Sequence, residues 1–242
     1  MHLILAVLTI AAASDLQPVL PRLAAAFERE TGHTVRTTFG SSGNLLAQVR
    51  NGAPFDVFLS ADIAYPRQLM ADGLAVPGTL TSYATGTIVL WTRRGSGIDV
   101  KQGWSAVTAD RAKRIALANP DHAPYGRAAV AALTNAGIYE RVRAKLVFGE
   151  NVAQAAQFVQ SGNADVGILP LSLAKSAPLM AAGEYAAIPD TYYPALEQGG
   201  VVLRASRSKD AARAFLQYLK RRDVAKILAD AGFGPASVAA AK

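Results

Sequence analysis

Three junctions in this chain place hydroxyl groups where they could do chemistry. At Ala11-Ala12-Ala13-Ser14-Asp15-Leu16 an apolar run ends in small residues, then a hydroxyl, then the start of a helix. Phe39-Gly40-Ser41-Ser42-Gly43-Asn44-Leu45 repeats the arrangement with two glycines, and Leu59-Ser60-Ala61-Asp62 ends a third run in Ser-Ala. Small residues let a bound group approach the backbone, while a serine hydroxyl or a first-turn N–H points a donor at it. Lys and Arg are absent from all three. One such serine is ordinarily the N-cap of its own helix. Three at the carboxyl ends of strands read equally well as caps and as neutral donors gathered for an anion, because helix N-termini carry positive partial charge there.

Two later junctions extend the set. Asn119-Pro120-Asp121-His122-Ala123-Pro124-Tyr125-Gly126 ends a strand and begins a helix at Pro124 or Tyr125, so Tyr125 offers a phenolic donor; the alternative is an ordinary amphipathic tyrosine. Gly149-Glu150-Asn151-Val152 precedes another helix, whose first-turn N–H at Val152 donates whatever its side chain, unless the segment is simply a helix start. His122 reads as a loop residue rather than a ligand or base.

These donors need elements to position them. Strand-like runs at Leu8–Ala12, Val35–Phe39, Asp56–Ser60, Thr87–Thr92, Ile115–Ala118, Asp165–Leu169 and Gly200–Arg204 alternate with helix-like runs, which predicts an α/β chain with mostly parallel sheets. Helices are expected from Leu16 to Thr31, over Leu45–Val49, Tyr65–Asp72, Tyr125–Asn135, Tyr139–Lys145, Val152–Gln160, Lys209–Arg221 and Asp223–Asp230. Turn-rich stretches at 82–86 and 189–200 are expected crossings between two lobes, giving a discontinuous lobe 1 (1–84 and 195–242) and a lobe 2 (85–194). The Ala-rich tail Ser237–Lys242 is the one low-complexity tract.

Composition narrows the chemistry. With 242 residues, 51% hydrophobic and 18% charged, the chain can bury a sizeable core. Zero cysteines exclude disulfides and thiolate chemistry, and three histidines (His2, His33, His122) leave little for a metal centre. The net charge of +7 suits nucleic acid, an anionic membrane surface or a small anion, and 7% aromatic residues with no long basic run argue against the first two. The apolar stretch Leu3–Ala13 is about half of what a bilayer-spanning helix needs. It reads either as a buried first strand or, up to about Ala6, as the remnant of a leader with Leu8–Ala12 as the strand. No Gly-x-Ser-x-Gly elbow, phosphate-binding Gly-rich loop or His-Glu-x-x-His is present, which disfavours a Ser-based hydrolase built on Ser14 or Ser42. A transcription regulator is disfavoured because no DNA-binding segment precedes Leu8.

In order and spacing, Ala-Ala-Ala-Ser, Phe-Gly-Ser-Ser-Gly, Asp56-Val57-Phe58-Leu59-Ser60-Ala61-Asp62, Asn119-Pro120 with Ala123-Pro124-Tyr125-Gly126, Gly149-Glu150-Asn151-Val152 and Asn163-Ala164-Asp165-Val166-Gly167 resemble the periplasmic molybdate-binding proteins of ABC transporters, a type II periplasmic solute-binding family. The resemblance implies a two-lobed periplasmic-binding-protein fold with the ligand cleft between lobes. It implies a molybdate or tungstate dianion bound through neutral donors: Ser14 and Ser42 from the first lobe, Tyr125 and the Val152 backbone from the second, with Ala13 and Ala61 as secondary backbone contacts. The metal is met through its oxygens, not as a bare cation. Some members carry a tyrosine donor where this chain has Pro170, and Tyr125 matches members that place it elsewhere. The resemblance further implies no cofactor, no catalysis, a monomer, a periplasmic location and an ABC permease in the inner membrane as partner. Sulfate or another small oxyanion is the nearest alternative ligand. Asp15 and Asp62, which bear on anion choice, are read as favouring their own helix N-termini.

Overall fold

The computed structural model describes residues 5–236; the expected Ala-rich tail and the first residues of the Leu3–Ala13 stretch lie outside them. The chain forms two compact units. Unit 1 takes the chain up to Thr85, Glu197–Asp230 and the segment from Gly234, and unit 2 takes Gly86–Leu196 with Ala231–Phe233.

Unit 1 opens with β1 (Val7–Ala13), α1 (Leu20–Thr31), β2 (Thr34–Gly40), α2 (Ser42–Arg50), β3 (Val57–Ser60), α3 (Ala64–Ala71) and β4 (Thr81–Gly86). Unit 2 follows with β5 (Ile88–Arg93), α4 (Trp104–Thr108), β6 (Ile115–Ala118), α5 (Pro124–Asn135), α6 (Tyr139–Val142), β7 (Leu146–Gly149), α7 (Val152–Gln160), β8 (Val166–Pro170), α8 (Leu171–Ala174), α9 (Ala177–Ala182) and β9 (Gly183–Ala187). The chain then supplies β10 (Leu196–Val202), α10 (Lys209–Leu219) and α11 (Arg222–Asp230).

Each unit holds a five-stranded sheet, ordered β2-β1-β3-β10-β4 in the first and β7-β6-β8-β5-β9 in the second. Three strands of each run parallel: β1 pairs β2 and β3, and β6 pairs β7 and β8. The others turn the sheets mixed, since β10 is antiparallel to β3 and β5 is antiparallel to both β8 and β9. The inner strands β1, β3, β6 and β8 read as near-continuous apolar runs because both their faces are covered; Leu8, Ile10, Ala11, Ala12, Phe58, Leu59 and Leu117 are fully buried, whereas the parallel edge strands β2 and β7 are half-exposed. In α1 the helix starts after Pro18, and Pro21 falls in the first turn, where its missing N–H is not needed. Gly32 closes α1 at φ 75°, a left-handed conformation that favours glycine.

Several elements depart from the sequence expectations. The stretch expected as a turn-rich crossing at 82–86 is strand β4, and the strand expected at Gly200–Arg204 begins earlier, at Leu196, so that the 189–200 stretch holds a 3-10 turn (Asp190–Tyr192) and most of β10. The helix expected over Tyr139–Lys145 ends as an α-helix at Val142 and tightens to a 3-10 turn. Below the sheet of unit 1, Asp56 accepts from Thr9 N–H (2.8 Å) and Thr9 Oγ1 (2.9 Å) with one oxygen and from Ser206 Oγ (2.6 Å) with the other, pinning β1, β3 and the loop after β10 together.

Candidate functional site

In unit 1 the register brings the three serine junctions to one sheet edge. Ala13 lies opposite Gly40 and Ala12 opposite Leu59, so Ser14, Ser41-Ser42 and Ser60-Ala61 emerge side by side from the carboxyl ends of three parallel strands. The hydrogen bonds sort the serines. Ser41 is the cap of α2, its side chain accepting from Asn44 N–H at 3.4 Å. Ser60 Oγ serves its own turn, accepting from Asp62 N–H and donating to Asp62 O. Ser14 and Ser42 are not caps.

Ser42 sits at the first position of α2, 1% exposed, with its Oγ accepting from Ala61 N–H at 3.0 Å. That bond reaches from the β2–α2 junction to the β3 junction across the end of β1, and it leaves the hydroxyl hydrogen of Ser42 to donate elsewhere. Ala61, expected as a secondary backbone contact, has its amide donating to Ser42 Oγ. The amides of Ser42 and Gly43 have no intrahelical acceptor at these positions. Ser14 opens a 3-10 turn (Ser14–Leu16) whose cap position is Ala13, and its Oγ is buried with no hydrogen-bond partner among the described residues. A buried hydroxyl without a partner costs about 1–3 kcal/mol, so one that persists points at a ligand.

Behind Ser14 the side chain of Asp15 is fully buried, and its Oδ2 accepts from Gln198 Nε2 at 2.7 Å. Gln198 Oε1 in turn accepts from Tyr83 Oη at 3.1 Å, and the same hydroxyl lies 3.3 Å from Ser60 O. Burial first and the Asp15 charge second push the Tyr83 hydroxyl well above its ordinary range. Asp62 behaves as expected, its Oδ1 accepting from Ala64 N–H at 2.8 Å at the start of α3. Gln198 and Tyr83 went unnoticed in the sequence. Nothing local marks them, since Gln198 is 183 residues from the carboxylate it holds.

In unit 2 the equivalent edge carries Tyr125 and Val152. Ala118 lies opposite Gly149, and Asn119 N–H donates to Gly149 O at 2.8 Å, which ties the two junctions together. Tyr125 is the second residue of α5, 3% exposed, directly after Pro124. Gly126 is what lets this turn sit so close: a Cβ there would stand 2.1 Å from Ala118 O and 2.9 Å from Pro120 N, both backbone atoms. Val152 is the first residue of α7. The cap Asn151 accepts from Ala153 N–H (2.9 Å) and Gln154 N–H (3.2 Å), which leaves Val152 N–H as the first-turn amide outside the cap's reach. Pro170 ends β8 and offers no N–H. His122 Nε2 lies 3.7 Å from Glu150 Oε2, a pairing of a half-buried imidazole with an exposed carboxylate.

Among the described residues no group of three His, Asp or Glu is placed to hold a metal ion, and no helix is long and apolar enough to cross a membrane. Each unit thus places neutral donors at the carboxyl edge of its parallel strands, an arrangement able to hold an anion by dipoles rather than by Lys or Arg.

Comparison with known proteins agrees with this chemistry. The bacterial extracellular solute-binding protein family matches residues 8–234. The molybdate-binding protein ModA of Azotobacter vinelandii is 36% identical over 93% of this chain and 88% of its own length. ModA of Rhodobacter capsulatus is 36% identical over 92% of this chain and 86% of its own length. The solved periplasmic molybdate-binding protein of A. vinelandii superposes with a TM-score of 0.88 at 33% identity, covering 95% of this chain and all of that one.

Proposed function

Because this chain belongs to the bacterial extracellular solute-binding proteins, we propose that its neutral donors bind a tetrahedral oxyanion, molybdate, which the protein delivers to an ABC importer. The observation that carries this reading is the buried Ser14 hydroxyl without a partner, beside a Ser42 hydroxyl held in place yet with its hydrogen to give. Its role is binding rather than catalysis, as in the ModA relatives. The finer parts of the reading are tungstate as a second ligand, a periplasmic location, a monomeric state and an inner-membrane permease as the receiving partner.

The energetics are consistent with tight binding. Hydrogen bonds to a charged group contribute about 1.5–3 kcal/mol each, and association costs about 4 kcal/mol or more. The Ser14, Ser42 and Tyr125 hydroxyls with the Val152 amide would be marginal by themselves; the Ser42 and Gly43 amides bring the set to a size that supports a Kd of tens of nanomolar, about −10 kcal/mol.

Donors without acceptors also select. Hydrogen phosphate carries a proton near neutral pH that needs an acceptor, whereas molybdate, tungstate and sulfate do not. Sulfate shares the charge, so only its smaller size can separate it from molybdate. Titration calorimetry with molybdate, tungstate, sulfate, hydrogen phosphate and chromate tests the proposal. Molybdate and tungstate are expected at tens of nanomolar or tighter and sulfate at least a hundredfold weaker; sulfate binding as tightly as molybdate, or no heat with molybdate, overturns it. Tyr125→Phe removes one hydroxyl from a buried site and is expected to weaken molybdate about tenfold, or ~1.4 kcal/mol. Wild-type affinity in that variant takes Tyr125 out of the donor set.

A further inference from the structure

We infer that Gln198, backed by Tyr83, is a positioning residue for anion selectivity: it holds the Asp15 carboxylate away from the donor Ser14, so that the unit 1 edge presents donors only. The inference rests on the assignment of Ser14 to the anion site. Asp15 follows Ser14 directly and is fully buried, and the bond from Gln198 Nε2 to its Oδ2 is short at 2.7 Å. Gln198 is itself fully buried, and its amide is oriented by the acceptor-only Asp15 carboxylate, which leaves Oε1 to accept from Tyr83 Oη at 3.1 Å. The N–H₂ end thus faces the carboxylate, and Tyr83 completes the amide's hydrogen bonding at its other end.

The chemistry of the neighbouring groups makes this arrangement consequential. A carboxylate is acceptor-only, and an adjacent serine hydroxyl is the nearest donor in sequence that it can recruit. A carboxylate bonded to Ser14 would take the hydrogen that the anion needs and add a negative charge beside a dianion. It would also supply the acceptor that a protonated oxyanion such as hydrogen phosphate seeks. Gln198 engages Oδ2 of the carboxylate, and Ser14 Oγ has no partner among the described residues. Gln198 lies on β10 and Tyr83 on β4, the strands at whose ends the chain passes between units, at Leu196/Glu197 and Thr85/Gly86. The Ser14 turn is therefore anchored to both connecting strands through one chain of hydrogen bonds.

A double-mutant cycle on the whole protein tests this, with molybdate and hydrogen phosphate as probes and calorimetry as the readout. Gln198→Leu keeps the side-chain volume and removes the donor. It is expected to weaken molybdate at least tenfold and to narrow the molybdate-to-phosphate preference. In the Asp15→Asn background, where no charge remains to be held, the same substitution is expected to change molybdate affinity by less than threefold. Equal losses in both backgrounds, or an unchanged preference for molybdate, overturn the inference and leave Gln198 a packing residue. If Gln198→Leu does not fold, Tyr83→Phe enters the same cycle, with a loss of several-fold expected only when Asp15 is present and equal effects in both backgrounds overturning the claim. Ser14→Ala measured alongside separates the two levels: affinity unchanged there removes the site itself, whereas a weakened Ser14→Ala with an inert Gln198→Leu removes only this inference.

Discussion

Ser14→Ala is expected to weaken molybdate binding at least tenfold while leaving the ligand-free protein as stable as before or slightly more so. The two effects have opposite sign because the Ser14 hydroxyl is buried without a partner in the chain itself. Removing an unsatisfied buried hydroxyl takes away a desolvation penalty of about 1–3 kcal/mol, partly offset by the small cavity left behind. The anion, by contrast, loses a donor that nothing else replaces. Ser42→Ala is expected to lose comparable affinity with a different stability signature. There the Ala61 amide, which donates to Ser42 Oγ at 3.0 Å, is left without an acceptor. The ligand-free protein should lose about 1–3 kcal/mol, a fall of several degrees in Tm for a chain of this length. Melting curves without ligand and calorimetric titrations with molybdate measure both quantities. Wild-type affinity in Ser14→Ala, or a ligand-free Ser14→Ala that melts as low as Ser42→Ala, contradicts this account of the two hydroxyls.

That contrast also shows where sequence reading stops. The apolar runs feeding Ser14 and Tyr125 are visible because the inner parallel strands β1 and β6 are nearly unbroken in apolar residues. The strands β4, β7 and β9 are not. Thr81-Ser82-Tyr83-Ala84-Thr85-Gly86 mixes hydroxyls with small residues, Leu146–Gly149 is four residues long, and Gly183–Ala187 carries Glu184 and Tyr185 at a half-buried edge. The short helices α4, α8 and α9 are too brief to establish a 3.6-residue period. Local chemistry likewise marks Ser41 and Ser42 as equivalent, since either type caps a helix; only the coordinates give the cap to Ser41 and the bond from Ala61 to Ser42. The hold of Gln198 on Asp15 is a contact between residues brought together by the antiparallel return of β10, and no spacing rule reaches that far.

The donors of unit 2 depend on packing more than on their own identity, and Gly126→Ala exposes that dependence. A methyl group at residue 126 would stand 2.1 Å from Ala118 O, 2.9 Å from Ala118 C and 2.9 Å from Pro120 N. All three are backbone atoms at the end of β6, so no rotamer change relieves the overlap and the first turn of α5 must lift away from the strand. Overpacking that forces backbone movement costs about 1–3 kcal/mol, and the upper end applies where the obstacle is backbone. The expected outcome is a fall in ligand-free Tm of about 6 °C or more, together with a loss of molybdate affinity beyond the tenfold expected for Tyr125→Phe, because the lifted turn carries Tyr125. Gly137→Ala is the matched control. Its φ of 69° makes a side chain unfavourable, yet nothing lies within 4 Å of the added Cβ. It should cost about 1 kcal/mol and leave affinity unchanged. A Gly126→Ala protein that melts and binds like the wild type would mean that α5 sits against β6 with room to spare, and that Tyr125 is not held in place by this approach.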